Sequence, residues 1–305
     1  MTVNARLHTI GGTVSERKSV GKPTPQPDWL LSRLVPPARW GRDPSSYDPI
    51  HAKSVVRWLG LLFGERRYFR LDARGFHKMP SSPSLVVSNH SGGTMVIDAW
   101  GFFVSWYRRF AGERPLHALT HEIVMATEAT GSFFGRLGVL QANPDIALTA
   151  LRDHRRDVLV MPGGDLDTWR PFKDRYRVRF SGHTGYARLA LKAGVPIVPV
   201  AHAGAHHSLM VLSDGARLAK LLHVRELAKA HIWPVHLSLP WGLAIGPWPH
   251  LPLPVTLRYR MGEPIEVKKR RPGDDSEPSD EEIRVLDEKV RASVQTLLDQ
   301  LAEGG

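Results

Sequence analysis

Residues 88–98 read SNHSGGTMVID, between the apolar run Leu85-Val86-Val87 and the helix-like stretch WGFFVSW. A histidine just past a buried strand, in a glycine turn ahead of a helix, stands where α/β sheets present reactive groups, at the carboxyl ends of their strands. There His90 is a competent general base near neutral pH, provided that a carboxylate fixes its tautomer and stabilises the imidazolium that forms. Asp98 is the only acid nearby, and it sits in an apolar run where a carboxylate is costly to bury without a partner. The alternative is that Asn89 and His90 only hydrogen-bond the turn and that Asp98 lies on the exposed face of the helix.

A second constellation is VLVMPGGDLDTWRPFKDRYRVRF, residues 158–180. An apolar strand runs into Pro162-Gly163-Gly164-Asp165, where the backbone can approach a ligand closely and offer N–H groups. Arg170, Lys173, Arg175, Arg177 and Arg179 lie beyond it. In RYRVRF three arginines alternate with Tyr176, Val178 and Phe180, so an extended chain places all three guanidinium groups on one face, suited to phosphate. A solvated edge strand gives the same pattern.

Other chemistries lack their residues. There is no cysteine, Gly-x-Ser-x-Gly, Gly-x-Gly-x-x-Gly, Walker loop or His-Glu-x-x-His. The pairs His117/His121 and His202/His206 have ligand spacing but no evident third ligand, so no metal site is expected.

The elements that must hold these residues read as an α/β domain with a mixed, largely buried sheet flanked by helices. Apolar runs at Leu85–Val87, Val139–Leu140, Val158–Met161 and Ile197–Ala201 alternate with helical patterns at Thr94–Phe110, Pro144–His154 and Thr184–Ala193, and a late strand covers Val255–Met261. Ser279-Asp280-Glu281-Glu282 makes a capping box for a final helix over 279–302, whose stripe of Ile283, Leu286, Val290, Val294, Leu297 and Leu301 should pack on the domain. Residues 1–50 carry seven prolines between positions 23 and 49 and read as an extended tail, with the folded domain running from 51 to 305. MTVNARLHTIGG has no apolar core of secretory-signal length.

The net charge of +11 implies a polyanionic partner: nucleic acid, anionic lipid or a phosphorylated ligand. Lys53–Phe63 is a basic amphipathic pattern that suits either a membrane interface or a core-facing helix. Residues 230–257 contain no Asp, Glu, Lys or Arg, six prolines that forbid a spanning helix, and Trp233, Trp241 and Trp248, which suit a membrane interface or a proline-rich crossover.

Taken in order, four blocks resemble the PlsC-like glycerolipid and lysophospholipid acyltransferase superfamily, and more closely its monoacylglycerol/diacylglycerol acyltransferase-like branch. Asn89-His90 is similar to the opening of the family's His-(x)4-Asp motif. Ser132 to Val139 resembles the segment with its acceptor-binding arginine, here Arg136. Met161-Pro162-Gly163-Gly164 stands where the phospholipid branch has Phe-Pro-Glu-Gly, and Gly185 to Val200 is similar to the last block. Two departures stand out. His90 and Asp98 are eight positions apart instead of five, and Gly163 replaces the glutamate, which favours the neutral-glycerolipid branch.

The resemblance implies an O-acyltransferase moving a fatty acyl group from acyl-coenzyme A or acyl carrier protein to a lipid alcohol. His90 would be the general base and Asp98 its orienting acid. Asn89, Arg136, Pro162, Gly163, Gly164, Asp165, Arg175, Arg177 and Arg179 would bind substrate. It implies no resident cofactor, no nucleic-acid partner, and peripheral attachment at the cytoplasmic face of a membrane. The alternatives are a catalytically inactive membrane-binding relative, prompted by the stretched spacing, and a basic nucleic-acid-binding protein, prompted by the charge.

Overall fold

Leu85, Val86 and Val87 are completely buried and divide between two cores, with Leu85 and Val87 in one and Val86 in the other. This is the alternation of a strand covered on both faces, and it explains why the run is apolar throughout. The computed structural model describes residues 39–81, 83–221, 232–268 and 276–304.

The strands are β1 (Phe63–Gly64), β2 (Phe69–Arg74), β3 (Leu85–Ser88), β4 (Leu116–Thr120), β5 (Leu140–Gln141), β6 (Asp157–Val160), β7 (Ile197–Ala203) and β11 (Thr256–Met261). They form a mixed eight-stranded sheet in the order β1-β2-β11-β7-β3-β6-β4-β5. Only the β11–β7 pair is antiparallel. The expected α/β class with a buried mixed sheet is therefore the observed one.

Helices cover both faces. On one side α4 (Pro144–Arg152), α6 (Gly185–Ala193) and α8 (Asp280–Glu303) contribute Ala147, Leu151, Tyr186, Leu189 and Val290 to the first core. On the other, α1 (Pro49–Leu59) and α2 (Ile97–Phe110) contribute Ala52, Phe102, Val104 and Trp106 to the second. The capping box of α8 forms as expected: Ser279 Oγ accepts the Glu282 N–H at 3.2 Å, and Glu282 Oε2 accepts the Ser279 N–H at 2.8 Å. Two further helices, α3 (Glu128–Arg136) and the single-turn α5 (Gly164–Thr168), lie in crossovers.

Three expectations change. The chain packs on the domain from Arg39, ahead of position 51: the Trp40 carbonyl accepts Gln141 Nε2 at 2.7 Å, and the Gly41 carbonyl accepts the Gln141 N–H at 2.8 Å. Residues 1–38 of the expected tail lie outside the described residues. The basic amphipathic helix starts at Pro49, capped by Asp48, and stops at Leu59, so that Phe63 enters β1 and is buried while Trp58 stays 70% exposed.

The third change concerns the uncharged segment, of which residues 230 and 231 lie outside the described residues. With β8 (Met210–Ser213) it forms a second, three-stranded antiparallel sheet from β9 (Val235–Ser238) and β10 (Gly242–Ile245), in the order β10-β9-β8. α7 (Ala216–Leu221) lies between β8 and β9 in the chain.

Candidate active site

Three neighbouring parallel strands, β6, β3 and β7, end on the same side of the sheet, and the candidate site is built from their last residues and the turns just beyond them. After β3 the chain enters a turn in which Gly92 (φ 103°), Gly93 (φ 65°) and Val96 (φ 42°) adopt left-handed backbone. That conformation is natural for glycine and strained for a β-branched residue. The detour brings the first turn of α2 back toward the end of β3. His90 Nδ1 consequently lies 2.6 Å from Asp98 Oδ2. The same carboxylate oxygen accepts the Ser91 N–H at 2.9 Å, and the Asp98 carbonyl accepts the Tyr259 hydroxyl at 2.7 Å.

Asp98 is completely buried, and His90 keeps a small exposed surface. Burial alone opposes charge on both. Each overcomes it through the other: Asp98 lifts the imidazole above its ordinary value, and His90 holds the carboxyl below the usual carboxylate range. With Nδ1 committed to Asp98, the His90 Nε2 is the nitrogen left for a substrate proton.

The strand ends contribute more. From β7, His202 Nε2 lies 2.5 Å from Ser91 Oγ and 3.7 Å from Asp98 Oδ2. Burial drives its pKa down to about 4, so it adds a neutral ring and no charge near neutral pH. After β6, Asp167 in α5 accepts the His90 backbone N–H at 2.6 Å and forms a completely buried ion pair with Arg170.

Some expected site residues serve other purposes. Asn89 is buried and clamps β3 to β7, with Nδ2 donating to the His202 carbonyl at 2.9 Å and Oδ1 accepting the His202 N–H at 2.8 Å. Arg136 pairs with Asp48 Oδ2 at 2.7 Å, tying α3 to the cap of α1. The Pro162 carbonyl lies 2.9 Å from His183 Nδ1, and Asp165 accepts the N–H of Leu166 at 2.9 Å while Asp167 reaches His90. A Cβ on Gly163 would sit 2.3 Å from the Asp167 Cβ and 2.4 Å from the Arg179 carbonyl, so this turn has no room for the glutamate of the phospholipid branch. Gly164, at φ 52°, faces open space.

RYRVRF is not a strand. Phe180 is buried in the first core, with Tyr176 and Val178 packed against it. Gln295 of α8 takes the place of a neighbouring strand: its Oε1 accepts the Val178 N–H at 2.9 Å and its Nε2 donates to the Tyr176 carbonyl at 2.8 Å. The three arginines consequently separate. Arg175 covers the rings of Phe172 and Tyr176, Arg177 pairs with Asp174 at 3.6 Å, and Arg179 pairs with Asp214 at 3.1 Å. Arg170, grouped with them in the sequence, is inside the protein on Asp167.

Asp167 and His202 were not singled out for this role by the sequence. The signal for Asp167 was its place three residues before Arg170, with which it pairs across the end of α5. The signal for His202 was its place at the end of an apolar strand neighbouring Val87.

The Acyltransferase family model matches residues 70–203. Uncharacterized proteins of Mycobacterium bovis and Mycobacterium tuberculosis are each 28% identical over 263 residues, covering 86% of this chain and 70% of the relative. A protein of Mycobacterium leprae, also uncharacterized, is 27% identical and is covered over 68% of its length. Among solved structures the chain is similar to the 1-acyl-sn-glycerophosphate (LPA) acyltransferase PlsC of Thermotoga maritima, with a TM-score of 0.43 and 19% identity over 82% of this chain and 77% of that one. The matched stretch runs from β2 to the last residue of β7 and contains His90, Asp98, Asp167, Arg170 and His202. The segment that carries the candidate site is thus similar to the Acyltransferase family.

Proposed function

We propose that the protein moves a fatty acyl group from the thioester of acyl-coenzyme A or acyl carrier protein to a hydroxyl of a glycerolipid or lysophospholipid, with His90 as general base. The observation that carries this is the 2.6 Å contact between His90 Nδ1 and buried Asp98, which leaves Nε2 to act on substrate. His90 Nε2 takes the hydroxyl proton as the alcohol oxygen attacks the thioester carbonyl. The C–S bond then breaks, and the departing thiolate receives the proton from His90. Asp98 orients the ring and stabilises the imidazolium between the two transfers, and Asp167 holds the His90 backbone in place.

The packed turn at Gly163 supports a neutral acceptor of the monoacylglycerol or diacylglycerol kind, because the position carries no carboxylate and has no space for one. No helix among the described residues is long and apolar enough to cross a membrane. Peripheral attachment at the cytoplasmic face, where thioester donors are made, suits such a substrate pair. The test is mass spectrometry of products after the pure protein is incubated with each donor and a panel of monoacylglycerol, diacylglycerol, lysophosphatidate and other lysophospholipids. A new ester that disappears in His90→Ala is the expected result. Absence of any ester product across the panel would overturn the proposal.

A further inference from the structure

An antiparallel sheet with one face packed on a core normally turns polar side chains to water on the other. The second sheet does the reverse. Its registers align Val211, His236 and Ala244 on one face and Met210, Leu237 and Leu243 on the opposite face. The first set is buried, with Val211 in a small core beside Trp169 and Leu209, and with the Trp169 and His236 rings 5.0 Å apart. The second set, joined by Leu212 and Ile245, is 42% to 64% exposed. No Asp, Glu, Lys or Arg occurs from 232 to 257 to interrupt it.

The loops beside this face extend it. Leu239, Trp241, Trp248 and Leu251 are each about half exposed or more. The indole N–H groups of Trp241 and Trp248 already donate to the carbonyls of Pro249 and Ile245, at 2.6 and 2.9 Å. Prolines at 240, 247, 249, 252 and 254 have no N–H to satisfy. The surface can therefore lose water while stranding few donors, which is the condition for entering an apolar medium. Through the bond from the Tyr68 hydroxyl to the Pro252 carbonyl, 3.0 Å, it meets the loop that exposes Leu61 and Leu62 beside Arg66 and Arg67.

The sheet is also joined to the catalytic turn. Thr94 Oγ1 donates to the Pro247 carbonyl at 3.0 Å, and a Cβ on Gly93 would lie 3.1 Å from Trp169 and 3.2 Å from His250.

We propose that the outer face of this sheet, centred on Met210, Leu237, Leu243 and Ile245, is a docking surface for an anionic lipid bilayer that holds the turn after His90 at the level where an acceptor hydroxyl lies. The inference rests on the proposed lipid acceptor. A bilayer fits better than a second copy of the chain: the flanking arginines complement anionic headgroups, whereas two copies face to face would bring like-charged rims together. Tryptophans at the edge of the face suit the headgroup boundary.

Flotation with vesicles of phosphatidylcholine containing about a third phosphatidylglycerol tests the surface. The variant Leu237→Thr/Leu243→Thr/Ile245→Thr keeps strand propensity and should bind these vesicles roughly tenfold or more weakly. Its turnover of a short-chain, water-soluble monoacylglycerol should be unchanged. In the unaltered chain, hydrogen exchange over 235–251 should slow when vesicles are added. Undiminished vesicle binding by the variant, or no slowing over 235–251 in vesicle-bound protein, overturns the proposal. So does protection of the same segment by self-association without lipid. If no acceptor is ever esterified, the acyltransfer proposal fails, while flotation and exchange still report on the surface.

Discussion

His90 Nδ1 and Asp98 Oδ2 are 2.6 Å apart although eight positions separate the residues in the chain. The contact survives the long spacing because Gly92, Gly93 and Val96 turn through left-handed backbone before α2 begins. The extra residues are taken up in the turn, and the helix N-terminus, which favours a carboxylate, still arrives beside the imidazole. Spacing alone is therefore a poor guide to whether such a pair is intact.

His90→Ala should lower transfer by about a hundredfold or more, the scale of a lost general base. The variant should remain folded but be less stable by about 1–3 kcal/mol, since buried Asp98 loses its principal partner. Steady-state turnover alongside urea unfolding checks both. Near-normal turnover in a folded variant would refute the assignment.

The pH profile depends on Asp98. A general base must be neutral, and Asp98 raises His90 above the ordinary 6.5 against the opposing effect of burial. In the unaltered protein the rate should fall as pH drops through a value above 6.5. In Asp98→Asn the raising charge is gone and burial dominates, so the acid limb should move to lower pH while the plateau falls on the order of a hundredfold. An acid limb that stays in place would mean that another group sets it.

Much of the fold was legible in the sequence, because strongly apolar short runs and periodic helices report burial directly. β3, β6, β7, α4, α6 and α8 lie close to where their patterns put them. His90 and Asp98 were legible as residue types at a strand end. Asp167 was not separable from Asp165, because which of them reaches His90 depends on a single-turn helix entered through Gly164 at φ 52°. The strand expected at RYRVRF failed for a different reason: the alternation was real, but the hydrogen-bonding partner is a glutamine side chain more than a hundred residues away in the chain. The second sheet was hidden because both of its faces are apolar at most positions, which erases the period of two.

Arg175, Arg177 and Arg179 reach three different partners, so their effects should add. Arg177→Ala should change stability by less than about 0.5 kcal/mol, and the triple alanine variant should equal the sum of the singles within a few tenths of a kcal/mol. The same additivity should hold for the apparent KM of a phosphorylated donor. A triple effect on KM well above the sum would show that the three close on one phosphate after all.

Gly163→Ala places a methyl group 2.3 Å from the Asp167 Cβ and 2.4 Å from the Arg179 carbonyl, both part of well-packed surroundings. The expected cost is about 1–3 kcal/mol from overpacking. Turnover should fall as well, because Asp167 must move and His90 loses its backbone support. A variant with unchanged stability would mean that the turn yields easily, and that glycine there is not required by packing.

Asp167 and Arg170 form a completely buried pair, and the two members should be strongly coupled. Burial raises the Asp167 pKa in spite of the guanidinium beside it, so the carboxylate relies on Arg170 to remain charged. Arg170→Met strands that carboxylate and should cost about 3–5 kcal/mol, whereas Asp167→Asn/Arg170→Met removes both charges, keeps a side-chain oxygen able to accept the His90 N–H, and should recover much of the loss. Urea unfolding of the two singles and the double gives the coupling. Turnover separates stability from positioning: the double variant should retain more activity than Arg170→Met, because an amide oxygen at position 167 still holds the His90 backbone. If the single and the double are equally unstable, the pair contributes packing volume and its charges do not interact as the geometry indicates.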